Sequence, residues 1–540
     1  MEILTRPLSG SSIVGGYLAH RPEAGRFFPS GFPGDPEAYR ASAQRVEERF
    51  TRQDRVRLAH VLQGGGVDRE ARLKRFVEED GFAVTTGQQP GLFGGPLFAL
   101  YKALTSAALA RRLEMLLERP VLPVFWVAAE DHDWEEVRRI HLLDPENELE
   151  SVEIPIPVGR EEAPLHRVPL GPEVTRAREH FLSLLPDSDF APPLRALLEA
   201  SYGEGKTLPG AFAHLLEELL GPQGIFILSP EHPSLQAASL PILLAEAERA
   251  AEVEAELLRR GEALEAGGFG LQVPLLPGGV NLFFEGPRGR DRLFRDGAGF
   301  RLRRSGQSIS LSELTVRAEA EPALLSPNVL LRPVVESRLI PTLSYVAGPG
   351  EMAYFAQTAP VFRAHGMEPP VIHPRLSAVL LEGKVQKVLA KFGLEVEALA
   401  RPHHELASEL VREEIPPEVQ AALGGFRGSV ARSAKELGDA VKGVDPTLAG
   451  PVDHLRNQSF SLLGDVEKKV MQALKRENEV ALAQLEKSRL HLYPTGRPQE
   501  RVLSPFYYLF RYGPSLLEQL AEAAEGAVRL DPVPDPVGGE

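Results

Sequence analysis

Glu130-Asp-His-Asp133 follows directly on the apolar run Val121–Ala129. Ionisable residues at the end of a strand buried on both faces are costly unless they line a polar cleft. Carboxylates placed there orient a substrate amine or hydroxyl, and His132 can give or take a proton near neutral pH or contact a phosphate. Asp131, His132 and Asp133, with His141 close in sequence, are equally a donor set for a divalent metal. A solvated loop in which His132 caps the next helix is the bland alternative.

Upstream, Gly87, Gly91, Gly94 and Gly95 lie between the run Phe82–Thr86 and a helical pattern that starts near Pro96. Glycine lets a ligand approach the backbone, and a helix start directs N–H groups at a phosphate or carboxylate. Gln88 and Gln89 add neutral donors and acceptors, and Lys102 falls one and a half turns into the helix. The spacing is neither a GxGxxG fingerprint nor a Walker loop, so a plain strand–helix turn stays open. Gly348-Pro-Gly-Glu-Met-Ala-Tyr-Phe-Ala-Gln357 repeats the arrangement, with Glu351, Tyr354 and Gln357 expected on one helix face at spacings of three. Arg375 and Ser377 follow another short apolar run, where an arginine can clamp oxyanions. Arg288, Arg290, Arg292 and Arg295 alternate near Phe283, Phe284 and Phe294, a pattern read as charge on a half-buried hairpin sheet rather than as a nucleic-acid surface.

The elements that must position these residues read as a doubly wound α/β core. Strands are expected near 82–87, 121–129, 224–229, 339–347 and 370–373, and Leu97, Leu100, Tyr101, Leu104, Ala108 and Leu113 give a helix between the first two. Ligands sit at the carboxyl ends of such strands. The boundaries expected are a core from 1–240 and 326–385, an inserted α+β subdomain at 241–325, a helical coiled-coil domain at 386–492 and a tail at 493–540 packing back on the core. In the helical part Leu463, Val466, Val470 and Ala473 form an imperfect seam.

The chain has 540 residues, a net charge of −15 and no cysteine. That length suits roughly two to four domains. The charge opposes non-specific nucleic-acid binding, and the missing cysteines exclude disulfides, thiolate zinc sites and a cysteine nucleophile. With no signal-type leader and no stretch apolar enough to span a bilayer, a cytoplasmic protein without membrane contact is expected.

Five segments in order resemble one family: TTGQQPGLFGGPLFALYK, PVFWVAAEDHDWEE, AGPGEMAYFAQ, HPRLS and LYPTGRPQERVLSPFYYL. They resemble the bacillithiol-biosynthesis cysteine-adding enzymes, the BshC family of cysteine ligases. The resemblance implies a Rossmann-type core similar to class I aminoacyl-tRNA synthetases, with connecting-peptide insertions and a coiled coil that forms a homodimer. It implies joining of the cysteine carboxyl to the amine of glucosaminyl-malate, with ATP (and Mg) activating the carboxylate. On that picture Asp131, His132 and Asp133 are catalytic. Glu130, Gln88, Gln89, Glu351, Tyr354 and Gln357 hold substrate. Nucleotide contacts fall to Thr86, Gly87, Gly94, Gly95, Lys102, Arg375 and Ser377, and to a tail surface of Gly496, Arg501 and Tyr507.

The chain departs from the synthetase pattern. No histidine occurs in Gln88–Pro96, and Arg375-Leu-Ser377 holds no lysine pair. Adenylate and acyl-phosphate activation therefore both stay open. So do a non-catalytic nucleotide-binding scaffold recruiting a pathway partner through its coiled coil, and metal-dependent hydrolysis at Asp131–Asp133. A tRNA synthetase fits less well, given the acidic charge and no anticodon-binding module.

Overall fold

Short apolar runs that end in glycine or charge become the strands of a six-stranded sheet. The computed structural model describes residues 1–286 and 289–531, so Arg288 lies outside it. In chain order the sheet and its two central helices are β1 (Gln63–Gly64), β2 (Phe82–Gln88), α1 (Phe98–Leu117), β3 (Val121–Val127), β4 (Phe226–Leu228), β5 (Thr342–Ala347), α2 (Pro349–Ala364) and β6 (Val371–Pro374). Spatial order is β6-β5-β2-β3-β4-β1. Every pair is parallel except the edge pair β1–β4. The doubly wound reading therefore holds. The antiparallel edge strand had no signal, because two residues carry no periodicity.

Every residue of β3 is buried, which explains an apolar run without alternation: helices cover both faces. α1 is buried from Ala99 to Ala110 because β2 and β3 press on one side and the helix Ser515–Ala527 on the other. Its Lys102 is 1 % exposed. At the end of β2 a Cβ on Gly87 would stand 2.9 Å from the Trp126 carbonyl oxygen, so glycine is needed for β2 to stay in register with β3. The chain winds from β2 out to β4, then begins again at β5 on the other side of β2. That reversal puts the crevice outside the carboxyl ends of β2 and β5.

Between β4 and β5 the chain forms a second, antiparallel five-stranded sheet from Gly279–Gly286, Gly289–Asp296, Gly299–Leu302, Ser308–Ser310 and Leu325–Pro327. Leu282, Phe284, Leu293 and Phe300 of that sheet share one apolar core with Trp126, Leu228, Tyr345 and Met352. Both sheets belong to one compact unit, residues 3–379 with 500–540.

Residues 1–2 with 380–499 form the other unit. Its longest helices, Pro417–Lys442 and Ala449–Glu477, pair as a hairpin, tied by Arg427 to Glu467 at 2.9 Å. Leu463 is buried and Val470 and Leu474 are half-buried, whereas Val466 and Ala473 are exposed. The inner stripe thus steps by seven and four, not by the three and four expected. Among the described residues, no helix is long and apolar enough to cross a membrane.

Candidate active site

A cleft of about 650 Å³ opens at the carboxyl ends of β2, β3 and β5, large enough for a nucleotide-sized molecule. Gly87, Gln88 and Gln89 come from the end of β2, Glu130, Asp131 and His132 from the turn after β3, and Glu351 and Tyr354 from α2. Lys102, Arg375 and Arg501 also line it.

The deep end is a buried ion-pair network. Lys102 Nζ lies 2.6 Å from Glu351 and also donates to the Gly87 carbonyl and, at 3.3 Å, to Gln88 Oε1. Glu351 accepts the Tyr345 hydroxyl at 2.6 Å and the Gly348 N–H at 2.8 Å, so it caps α2 while holding the lysine. Burial pulls the Lys102 pKa below its usual value, with Glu351 opposing. Burial raises Glu351, but Lys102, the Tyr345 hydroxyl and the Gly348 N–H together outweigh it and keep the carboxyl below its usual range. Arg332 pairs with Glu336 at 2.5 Å and donates to the Tyr354 hydroxyl at 2.9 Å. Arg375 is held by Glu500 at 2.6 Å and lies 5.5 Å from the Phe98 ring centre.

The other end is the turn after β3. Asp131 accepts from Gln89 Nε2 at 2.6 Å and from the His132 N–H at 2.7 Å. Burial raises its pKa, but Arg290, Gln89 and that N–H overcome it and hold the carboxyl ionised. Arg290 reaches in from the second sheet. It lies 4.0 Å over the Phe283 ring, donates to Ser326 Oγ and the Pro327 carbonyl at 2.8 Å each, and stands 3.3 Å from His132 Nδ1. Arg304 stands 3.3 Å from the opposite nitrogen of His132. Guanidinium groups only donate and a neutral imidazole accepts at one nitrogen, so the two arginines compete for that ring. Burial, then Arg290, lowers the His132 pKa and keeps it neutral. Glu130 is the opposite case: burial, with Glu231 adding and Arg290 opposing, pushes it up to about 7. One turn thus holds an ionised carboxylate and a carboxyl poised near neutrality, the separation that acid–base chemistry uses.

Several expected site residues stand elsewhere. Thr86 is buried within β2, its hydroxyl donating to the Val346 carbonyl. Gly94 and Gly95 form a positive-φ turn whose Gly94 N–H goes to the Tyr202 hydroxyl at 3.1 Å, away from the cleft. Asp133, expected to be catalytic, is exposed and caps the short helix Trp134–Val137, the task that the bland alternative gave to His132. Gln357 is turned from Glu351 because each three-residue step falls about 60° short of a full turn. It binds the backbone of Gln272 and Val273 instead. Ser377 donates to Glu500 at 3.0 Å. Tyr507 is fully buried beside Tyr508 and Arg511. Gly496 belongs to the other unit.

Among the described residues no group of three His, Asp or Glu side chains is placed to hold a metal ion. His132 is flanked by two guanidinium groups and Asp133 points to solvent, so the donor set imagined from the spacing does not converge. Arg332 and Arg290 were missed as site residues. The signal for Arg332 was a cation within the apolar run Val329–Val335; Arg290 had none beyond its hairpin.

Comparison with known proteins also divides the chain near residue 377, although residues 500–527, which belong to the unit of the two sheets, fall within the second match. Residues 1–376 match the N-terminal Rossmann-like domain of bacillithiol biosynthesis BshC, and residues 378–527 match its C-terminal coiled-coil domain. A protein of Salinibacter ruber is 35% identical over 92% of this chain and 91% of its own length. One of Heliobacterium modesticaldum is 36% identical over 95% and 96%, and one of Koribacter versatilis 32% identical over 94% of each. All three are named "Putative cysteine ligase BshC". With both domains matched in order and most of the chain shared with these relatives, the chain belongs to the BshC family of bacillithiol biosynthesis.

Proposed function

We propose that this chain is an ATP-dependent ligase joining the carboxyl group of cysteine to the amine of glucosaminyl-malate. The observation that carries the reading is the single cleft in which Lys102, Arg332 and Arg375 stand at one end and Glu130, Asp131 and Arg290 at the other. Activating a carboxylate with ATP builds negative charge on phosphoryl oxygens, and the three cations answer that need. The amine must lose a proton as the amide forms, and a carboxyl poised near neutrality can take it. Arg290 and Arg292, on the second sheet, suit the malate carboxylates. In this scheme the amine nitrogen bonds to the activated cysteine carbonyl, the phosphoryl-linked oxygen leaves with its electron pair, and Glu130 receives the proton.

Purified protein with ATP, Mg²⁺, cysteine and glucosaminyl-malate, followed by mass spectrometry, tests it. Bacillithiol with AMP supports an adenylate and with ADP an acyl phosphate. No thiol product, with ATP binding established separately, refutes the ligase reading and favours a scaffold.

The hairpin supports a homodimer. Leu455, Leu462 and Val466 on one helix and Phe426 and Leu437 on the other are exposed, at spacings of seven, four and eleven that keep each set on one face. A second copy would cover those stripes. Sedimentation of Phe426→Glu/Leu462→Glu at half the parent mass would support this, and an unchanged mass would refute it.

A further inference from the structure

A second cavity, of about 450 Å³, opens at the other end of the sheet. Arg45 and Arg49 line it from the end of helix Pro36–Glu47 and just beyond, Arg363 from the last turn of α2, and Met367–Pro370 from the turn into β6. Thr342, the first residue of β5, also lines it, so it lies a strand length, roughly 17–20 Å, from the cleft.

Arg45 Nη2 and Arg49 Nη1 are buried there, and neither has a hydrogen-bond partner. Buried guanidinium N–H groups are rarely left without acceptors. The cations also oppose one another: burial, then Arg338 and Arg45, brings the Arg49 pKa down to about 10. Two carboxylates stand near, exposed Glu48 and Glu368, whose charge acts on Arg45. Glu368 Oε2 is itself buried without a partner, so it does not satisfy either arginine. Cations near a helix C-terminus answer the helix dipole, and Arg49 Nε does donate to the Arg45 carbonyl at 3.3 Å. That accounts for where the charges are. It leaves both Nη groups without acceptors at the cavity wall.

We infer that this cavity binds a small multivalent oxyanion of the phosphate class, whose oxygens take the N–H groups of Arg45 and Arg49 while Arg363 closes from the exposed side. The site is separate from the cleft and calls for no chemistry, only recognition. Its occupant offsets the charge of Arg45 acting on Arg49.

Isothermal titration of the full-length protein with inorganic pyrophosphate, at fixed ionic strength, tests this. A saturable site is expected that Arg45→Gln/Arg49→Gln weakens by about tenfold or more, as loss of charge-assisted hydrogen bonds does. Lys102→Met, among the cleft cations assigned to phosphoryl oxygens, is expected to leave it unchanged. Undiminished binding by the folded double variant overturns the inference. So does the reverse pattern, in which Lys102→Met abolishes binding, and so does displacement by chloride at equal ionic strength. If the double variant fails to fold, exposed Arg363→Gln carries the test, with clear weakening expected and unchanged affinity overturning the site.

Discussion

Glu130→Gln isolates a charge that burial holds back. The carboxyl sits at the end of β3 facing Arg290 and Glu231, with its pKa raised from 4.5 to about 7. In the unfolded chain it ionises near its ordinary value. Below pH 4.5 both states carry the proton, and between about 4.5 and 7 only the folded state does. Its contribution to stability is therefore full in acid and is lost as pH rises through 7. A separation of about 2.5 pH units corresponds to roughly 3 kcal/mol. Glutamine does not titrate, so the stability of the variant relative to the parent should rise by about that amount from pH 4.5 to 8. Urea unfolding can be followed by tryptophan fluorescence, because the chain has only Trp126 and Trp134, both buried and on either side of Glu130. The same variant should lose the rise in product formation with an apparent pKa near 7. A stability difference that stays flat across this range refutes the reasoning.

Lys102→Met should destabilise by about 3 kcal/mol, at the low end for breaking a buried pair because Tyr345 and Gly348 still hold Glu351. Adding Glu351→Gln should recover part of that in urea unfolding; strictly additive losses would contradict the pairing. Arg290→Met keeps an apolar stem over Phe283 but removes the cation beside Asp131 and His132. Product formation should fall by about two orders of magnitude, and the His132 imidazole should titrate at higher pH in NMR, since Arg290 helps to lower it. Gln357→Leu strips three hydrogen bonds from the backbone of Gln272 and Val273, which line the cleft, and should cost about 2–4 kcal/mol in thermal unfolding.

The sheet was legible because β3 is apolar on both faces, β2 and β5 contain short apolar stretches, and all three end abruptly; the turn after β3 stood out because charge follows burial. Contacts between distant segments were not legible. Arg290 reaches the Asp131 turn across 158 residues of sequence to meet His132, and nothing in an alternating hairpin says which arginine points inward. Helical spacing misled at Gln357, where a step of three drifts round the helix, and at the hairpin, where the inner stripe steps by seven and four. Glycine-rich turns are ambiguous for a physical reason: Gly94 and Gly95 adopt left-handed conformations to pack, which looks the same in sequence as a turn made for phosphate.

Glu500 has a further consequence. It holds Arg375, Ser377 and the Ala378 N–H, all contributed before the chain leaves this unit at Val379. About 120 residues of the other unit intervene. At a synthesis rate of roughly 5–20 residues per second, Arg375 waits about 6–24 s on the ribosome for its carboxylate. A nearly fully buried cation is costly without its counter-charge, so the nascent cleft stays open at that corner until the helical unit has been made. The order of translation thus delays completion of the cleft until the intervening 380–499 segment and Glu500 have been synthesised.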